Sequence, residues 1–279
     1  MVIGNTKRVE EYDVAAGEVR LHVRDVGEAH AEPVLFLHGI MGHRRDWDVL
    51  VDRVGGPYRV LAVDQRGHGR SEWARSYGVS DMAADAIAVI EHLGVAPVSV
   101  VGHSMGAMVA LVVAARRPEL VDRIVLIDVV PESLTTDLGR QLPAMLEAMA
   151  ASSYATVDDA VAEWQAGNPL ARADLLRNYV THALVPGPDG RFRWRFDASG
   201  LRSFSSGVSP QELWAAVDGV SCTDTSTTAP CAQLGYALAQ LPEPLRPEEL
   251  EKAIRELPRD RETIDLFNKL SGPDPLPPP

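Results

Sequence analysis

The chain has 279 residues, 46% hydrophobic and 24% charged, enough for one large α/β domain or two small ones. Asp and Glu outnumber Lys and Arg by 39 to 27, a formal net charge of −12, and no basic block interrupts the chain. That balance argues against nucleic acid or an anionic membrane as partner. Two cysteines, Cys222 and Cys231, are too few for a disulfide framework. The most apolar stretch, Met105 to Ala115, is shorter than the roughly 20 residues a bilayer requires, so it reads as a buried helix. Met1 to Asp13 lacks the ordered features of a secretory signal, which makes the cytoplasm the expected compartment.

From the N-terminus, two alternating runs (Val9, Tyr12, Val14 and Val19, Leu21, Val23) flank Ala16-Gly17-Glu18 and predict a hairpin of outer strands. Four continuous apolar runs follow, at 34–37, 60–63, 98–101 and 124–127. Runs without alternation suit strands buried on both faces of a parallel sheet. Helical patterns separate them. Ser80 is placed to cap a helix that runs to Leu93 and stops at Gly94, and a second helix spans Met105 to Arg117, before Pro118. Strand and helix alternating in this order predict an open α/β sheet.

Between Pro131 and Pro210 the pattern turns helical, at 138–150, 157–165 and 170–184, with scattered aromatic residues such as Trp164, Tyr179 and Trp194. A helical insertion after a sheet strand reads as a lid over a pocket, or simply as more core and surface helix. Residues 211–222 read as a return to the core. The stretch 223–279 holds half of the 20 prolines, opens with a polar run, and predicts helices from Pro247 to Leu257 and from Arg261 to Leu270 with no clear buried strand. Pro-x-x-Pro spacing near the end is compatible with an interaction segment.

Three motifs carry chemistry. Gly102-His103-Ser104-Met105-Gly106 follows an apolar strand and precedes a helix, the setting a Gly-x-Ser-x-Gly nucleophile elbow requires. The glycines permit a tight turn that exposes the Ser104 hydroxyl, and the Met105 amide opens a helix, where backbone donors favour an anion. Leu37-His38-Gly39-Ile40-Met41-Gly42 follows another strand. Such a loop can offer a backbone N–H opposite the elbow, with Ile40 as the expected second oxyanion donor; each such donor contributes roughly 10²–10³ in rate. Asp64 to Ser71, with its glycines, reads as a scaffolding turn.

Together these motifs, in this order, resemble the α/β-hydrolase superfamily over residues 9–222, in particular its small esterases, lactonases, perhydrolases and carbon–carbon bond hydrolases. The resemblance implies an α/β-hydrolase core at 1–130, a helical cap at 131–210, Ser104 as nucleophile, and Ile40 and Met105 as oxyanion amides. It implies no metal or organic cofactor, and a small ester-like substrate. The family triad runs Ser, then an acid, then His. Some members draw the acid from the position of Asp128, at the end of a strand; the alternative role for Asp128 is to anchor the cap entrance. Asp224 is the next acid in chain order.

The pattern breaks at the base. The eight histidines are His22, His30, His38, His43, His68, His92, His103 and His182, and none follows His182. The last family strands are expected to be missing as well. His103 adjoins Ser104, but neighbouring side chains at an elbow are expected to point apart. His38 is expected to fix its loop by a hydrogen bond. His182, on the helical insertion, is the remaining candidate base. Loss of such a histidine costs on the order of 10⁶ in kcat. Two functional expectations therefore stand. One is a serine hydrolase that forms an acyl-Ser104 intermediate. The other is a catalytically impaired member of the fold that serves in binding. An incomplete sheet edge would also favour pairing with a second copy.

Overall fold

The computed structural model describes residues 8–54, 57–129, 137–169, 171–202, 204, 208–219 and 232–233. Val9–Ala16 (β1) turns at Gly17 into Val19–Val26 (β2), the hairpin expected from the alternating runs. Gly17 adopts φ 60°, a left-handed conformation open to a residue without Cβ. Glu32–Leu37 (β3), Tyr58–Val63 (β4), Val98–His103 (β5) and Val121–Ile127 (β6) are the continuous apolar runs. They alternate with Asp48–Val54 (α1), Val79–Leu93 (α2) and Met105–Arg116 (α3).

The sheet order is β1-β2-β4-β3-β5-β6. β1, β2 and β4 pair antiparallel, and every pair from β4 to β6 is parallel. Successive side chains of a strand face opposite sides. Leu35 and Leu37 therefore enter a core shared with Met82, Ile90 and Met108 of α2 and α3. Val34 and Phe36 enter a second core with Trp47 and Val51. Both faces are covered, and that is why the runs carry no polar alternation.

α2 starts two residues earlier than the Ser80 cap predicts. The Asp81 carboxylate accepts the Gly78 N–H at 3.3 Å, whereas Ser80 Oγ receives the Arg116 guanidinium at 2.7 Å. Gly94, at φ 59°, ends the helix as expected.

The helical stretch after β6 contains Asp137–Ala151 (α4), Val157–Gly167 (α5) and Ala173–Ala183 (α6), close to the expected bounds. A short antiparallel pair follows, Leu184–Pro186 (β7) with Phe192–Trp194 (β8), then Ala198–Leu201 (α7) and Pro210–Gly219 (α8). Leu146, Ala160 and Val180 of α4, α5 and α6 are wholly buried, and α8 returns to pack on α3. The tail adds a strand that its sequence does not announce: Ala232–Gln233 (β9) pairs parallel with Ile124 and Val125 of β6. Two residues show no periodicity, so pairing alone reveals them. Asp224, both cysteines and the two expected tail helices lie outside the described residues. Among the described residues, no helix is long and apolar enough to cross a membrane.

Candidate active site

Ser104 stands between β5 and α3 at φ 49° and ψ −111°, a conformation that costs a non-glycine residue about 1–3 kcal/mol. Its neighbours explain how the turn is held. A Cβ on Gly102 would lie 2.3 Å from Gly106 O, and one on Gly106 would lie 2.2 Å from Leu37 O. Strand, turn and helix are thus closer together than any other residue type allows. The Ser104 N–H donates to Ile127 O at 2.8 Å, which ties the elbow to β6. Met105 is the first residue of α3, so its N–H has no acceptor within the helix.

The loop after β3 lies against this elbow. A Cβ on Gly39 would meet His103 Nδ1 at 2.7 Å and Ser104 Cβ at 3.4 Å. Gly39 O accepts two hydrogen bonds, from Gly42 N at 3.0 Å and from His38 Nδ1 at 2.7 Å. The Gly39–Ile40 peptide is trans and planar, so the Ile40 N–H points opposite to that carbonyl. Among the described residues it meets no acceptor. The Ile40 and Met105 N–H groups, the two amides expected as donors, are thus without a backbone acceptor among the described residues.

Two buried histidines support the loop. His38 donates from Nδ1 to Gly39 O and accepts the Gln65 N–H at Nε2, 2.9 Å away. His68 donates from Nδ1 to Arg66 O at 3.0 Å and accepts the Met41 N–H at Nε2, 3.2 Å away. One donor and one acceptor on each ring require the neutral imidazole. Burial, the largest influence, pushes His68 down to about 4 and His38 well below the usual histidine range. The expected hydrogen bond from His38 to its loop is present. The scaffolding turn is present too: Asp64 accepts the Arg44 N–H and guanidinium, both at 2.7 Å, and the Arg70 N–H at 2.8 Å.

The helical stretch contacts the same loop. Tyr179 of α6 donates its hydroxyl to Met41 O at 3.0 Å, and Asn178 donates to Arg45 O at 3.0 Å. His43 Nε2 lies 2.9 Å from Tyr179 O, and the two rings stack at 5.4 Å. Burial pulls His43 down, but the Asp46 carboxylate, 2.9 Å from Nδ1, outweighs it and leaves a raised value. Neither Tyr179 nor His43 was picked from the sequence. Their partners are more than a hundred residues apart in the chain, and no local pattern links them.

All eight histidines are described, and none is hydrogen-bonded to Ser104 Oγ. His182, the candidate base, instead meets His43 edge-on at 6.2 Å, and burial followed by the nearby Arg45 lowers its pKa. That position is against the Arg44–Trp47 turn. His103 departs from the expectation for an elbow neighbour. The tight turn at Ser104 brings both side chains against Gly39, and His103 Nε2 lies 3.7 Å from Asp128 Oδ2. Asp128 follows β6 at φ 53° with its side chain 73% exposed, so it faces a histidine, though not one hydrogen-bonded to the serine. Among the described residues, no cluster of His, Cys, Asp or Glu is arranged to hold a metal ion.

A family model described as alpha/beta hydrolase fold matches residues 32–159. The lipase LipV of Mycobacterium tuberculosis is 32% identical over 183 residues, 63% of this chain and 67% of its own. The chain belongs to the α/β-hydrolase fold family. An sn-1-specific diacylglycerol lipase of Mus musculus is 31% identical over 184 residues, and this α/β hydrolase spans 58% of that relative's length. Among solved structures, an esterase of Mycobacterium tuberculosis superposes with a TM-score of 0.67 at 28% identity, covering 78% of this chain and 73% of the other. E-2-(acetamidomethylene)succinate hydrolase gives 0.67 at 27%, covering 77% and 78%. The matched span includes Ser104, Ile40, Met105 and Asp128, so the elbow, the loop and the end of β6 all lie within the family region.

Proposed function

We propose that this chain is a serine hydrolase of the acyl-transfer type, acting on a small ester, lactone or thioester. The observation that carries the reading is the junction at Ser104: a strained, half-exposed serine at a helix N-terminus, against a loop whose Ile40 N–H has no other acceptor. Ser104 Oγ attacks the carbonyl carbon. The carbonyl oxygen becomes an oxyanion that accepts from the Ile40 and Met105 amides. Collapse expels the alcohol or thiol and leaves an acyl-Ser104, which water then hydrolyses. The stretch from α4 to α7 serves as the cap that shapes the acyl pocket. Relatives named as lipases, esterases and a 2-(acetamidomethylene)succinate hydrolase support this class without fixing the substrate.

Proton transfer sets the turnover. A triad stripped of its histidine loses on the order of 10⁶ in kcat, while donors and binding retain roughly 10³–10⁴ over water. The second reading, a member of the fold that binds a ligand without turning it over, is favoured by one observation: no histidine is bonded to Ser104. Labelling with a fluorophosphonate probe, read by intact mass on wild type and Ser104→Ala, separates the two. Rapid labelling lost in the variant supports the hydrolase and demands a base. A folded, monodisperse wild type that does not label removes it in favour of the binding reading.

A further inference from the structure

The segment Gly39–Gly42 is a hydrogen-bonded turn, closed by Gly42 N to Gly39 O at 3.0 Å. Its third residue is Met41 at φ 66°, where a glycine would be free of strain. A methionine there needs outside restraint to keep one conformation. Outside restraint acts on each peptide of the turn. The Gly39–Ile40 peptide is fixed through its carbonyl by His38 Nδ1 at 2.7 Å. The Ile40–Met41 peptide is fixed through its N–H by His68 Nε2 at 3.2 Å. The Met41–Gly42 peptide is fixed through its carbonyl by the Tyr179 hydroxyl at 3.0 Å. Two of these holds come from the core. The third comes from α6, 138 residues along the chain from Met41.

We infer that Tyr179 is a positioning residue for the oxyanion donor: its hydroxyl, by holding Met41 O, locks the strained turn so that the Ile40 N–H stays aimed at the elbow. The inference rests on the reading of Ser104 as nucleophile. It gives α6 a role beyond covering a pocket, because seating of the helix and readiness of the donor become one event. Without the third hold, the Met41–Gly42 peptide can rotate toward an unstrained turn, and the Gly42 N–H that helps fix Gly39 O turns with it. The Ile40 N–H then loses its fixed direction, and the developing charge loses one of its two donors.

Tyr179→Phe tests this in the full chain. The phenyl ring keeps its stack on His43 and its contact with Trp164 (centroids 5.2 Å), and Asn178 still clips α6 to Arg45 O. The change is therefore confined to one hydroxyl. Fluorophosphonate labelling of Ser104 is expected to slow about tenfold, intermediate between loss of one hydrogen bond and loss of a whole donor. The amide resonances of Ile40, Met41 and Gly42 should shift, with Tm changed by no more than about 2–4 °C. Tyr77→Phe is the control: it removes a hydroxyl that donates to Asp197 Oδ2 of the same stretch at 2.5 Å and accepts the Ala74 N–H at 2.8 Å, and should leave labelling at the wild-type rate. Wild-type labelling in Tyr179→Phe with unmoved amides overturns the inference. So does equal slowing in Tyr77→Phe, which would mean general loosening of the helical stretch. A wild type that never labels defeats the hydrolase reading instead. The amide shifts then judge the clamp alone, moved in its favour and unmoved against it.

Discussion

Acidification should weaken this fold through His68 and His38. Burial holds His68 at about 4, against about 6.5 in an unfolded chain. Above pH ~6.5 neither state binds the proton, and the contribution is fully present. Between ~6.5 and ~4 the unfolded chain takes up a proton that the folded one refuses, so stability falls with pH, and below ~4 the contribution is gone. A depression of that size corresponds to about 3 kcal/mol from His68, at a slope of about 1.4 kcal/mol per pH unit. His38 is depressed in the same direction and steepens the slope. His43 is raised and works the other way, as its contribution is present at low pH and lost as pH rises through its folded value. Glu11 does not interfere in this window. Burial opposes its ionisation, but Arg44 outweighs that and holds it near 2, so its contribution is lost only as pH falls toward that value. The assay is urea unfolding followed by tryptophan fluorescence from neutral pH down to ~4, on wild type and His68→Gln. The glutamine keeps a side-chain acceptor for the Met41 N–H and does not titrate. Its pH slope should be shallower by about 1.4 kcal/mol per unit. Parallel slopes for the two proteins would refute the reasoning.

Other perturbations have equally definite outcomes. Gly106→Ala drives a Cβ to 2.2 Å from Leu37 O, a backbone atom that cannot step aside, so the variant should lose its fold or separate α3 from β3 in circular dichroism and probe labelling together. Asp85→Asn leaves the Arg66 guanidinium, buried and held at 2.6 and 2.8 Å by that carboxylate, with only the more distant Glu18 carboxylate, 3.7 Å away, as counter-ion. The expected cost is about 3–5 kcal/mol in urea unfolding, less if the amide keeps one of the two bonds. Leu146→Ala empties a wholly buried site in α4 and should cost about 2–5 kcal/mol. Limited proteolysis should then cut first within the α4–α7 stretch rather than in the sheet.

Much of the core was legible from periodicity. The continuous runs of β3 to β6 are apolar because each strand has neighbours above and below, a property written residue by residue into the chain. Gly94 ended α2 as expected, since left-handed φ is a local demand. The start of that helix was misread because two residues competed as caps, and a tertiary partner, Arg116, took Ser80. The elbow was legible for the same reason as the strands: Gly102 and Gly106 are required by contacts within one turn and one adjacent strand. The approach of His103 to Gly39 was not, because it depends on the loop after β3 meeting the elbow, a contact between segments far apart in the chain.

By itself, the sequence determined the order of the main strands and helices, the place of the strained serine between β5 and α3, and the lack of any histidine beyond residue 182. These follow from short-range sterics, hydrophobic period and composition, all of which act along the chain. Only the tertiary structure decided which way the Ile40 N–H points, that His38 and His68 are neutral struts, that His182 packs edge-on against His43, and that Tyr179 reaches Met41. Each of these is a hydrogen bond or burial between segments far apart in sequence. Its existence depends on how packed elements meet, and no local pattern carries that information.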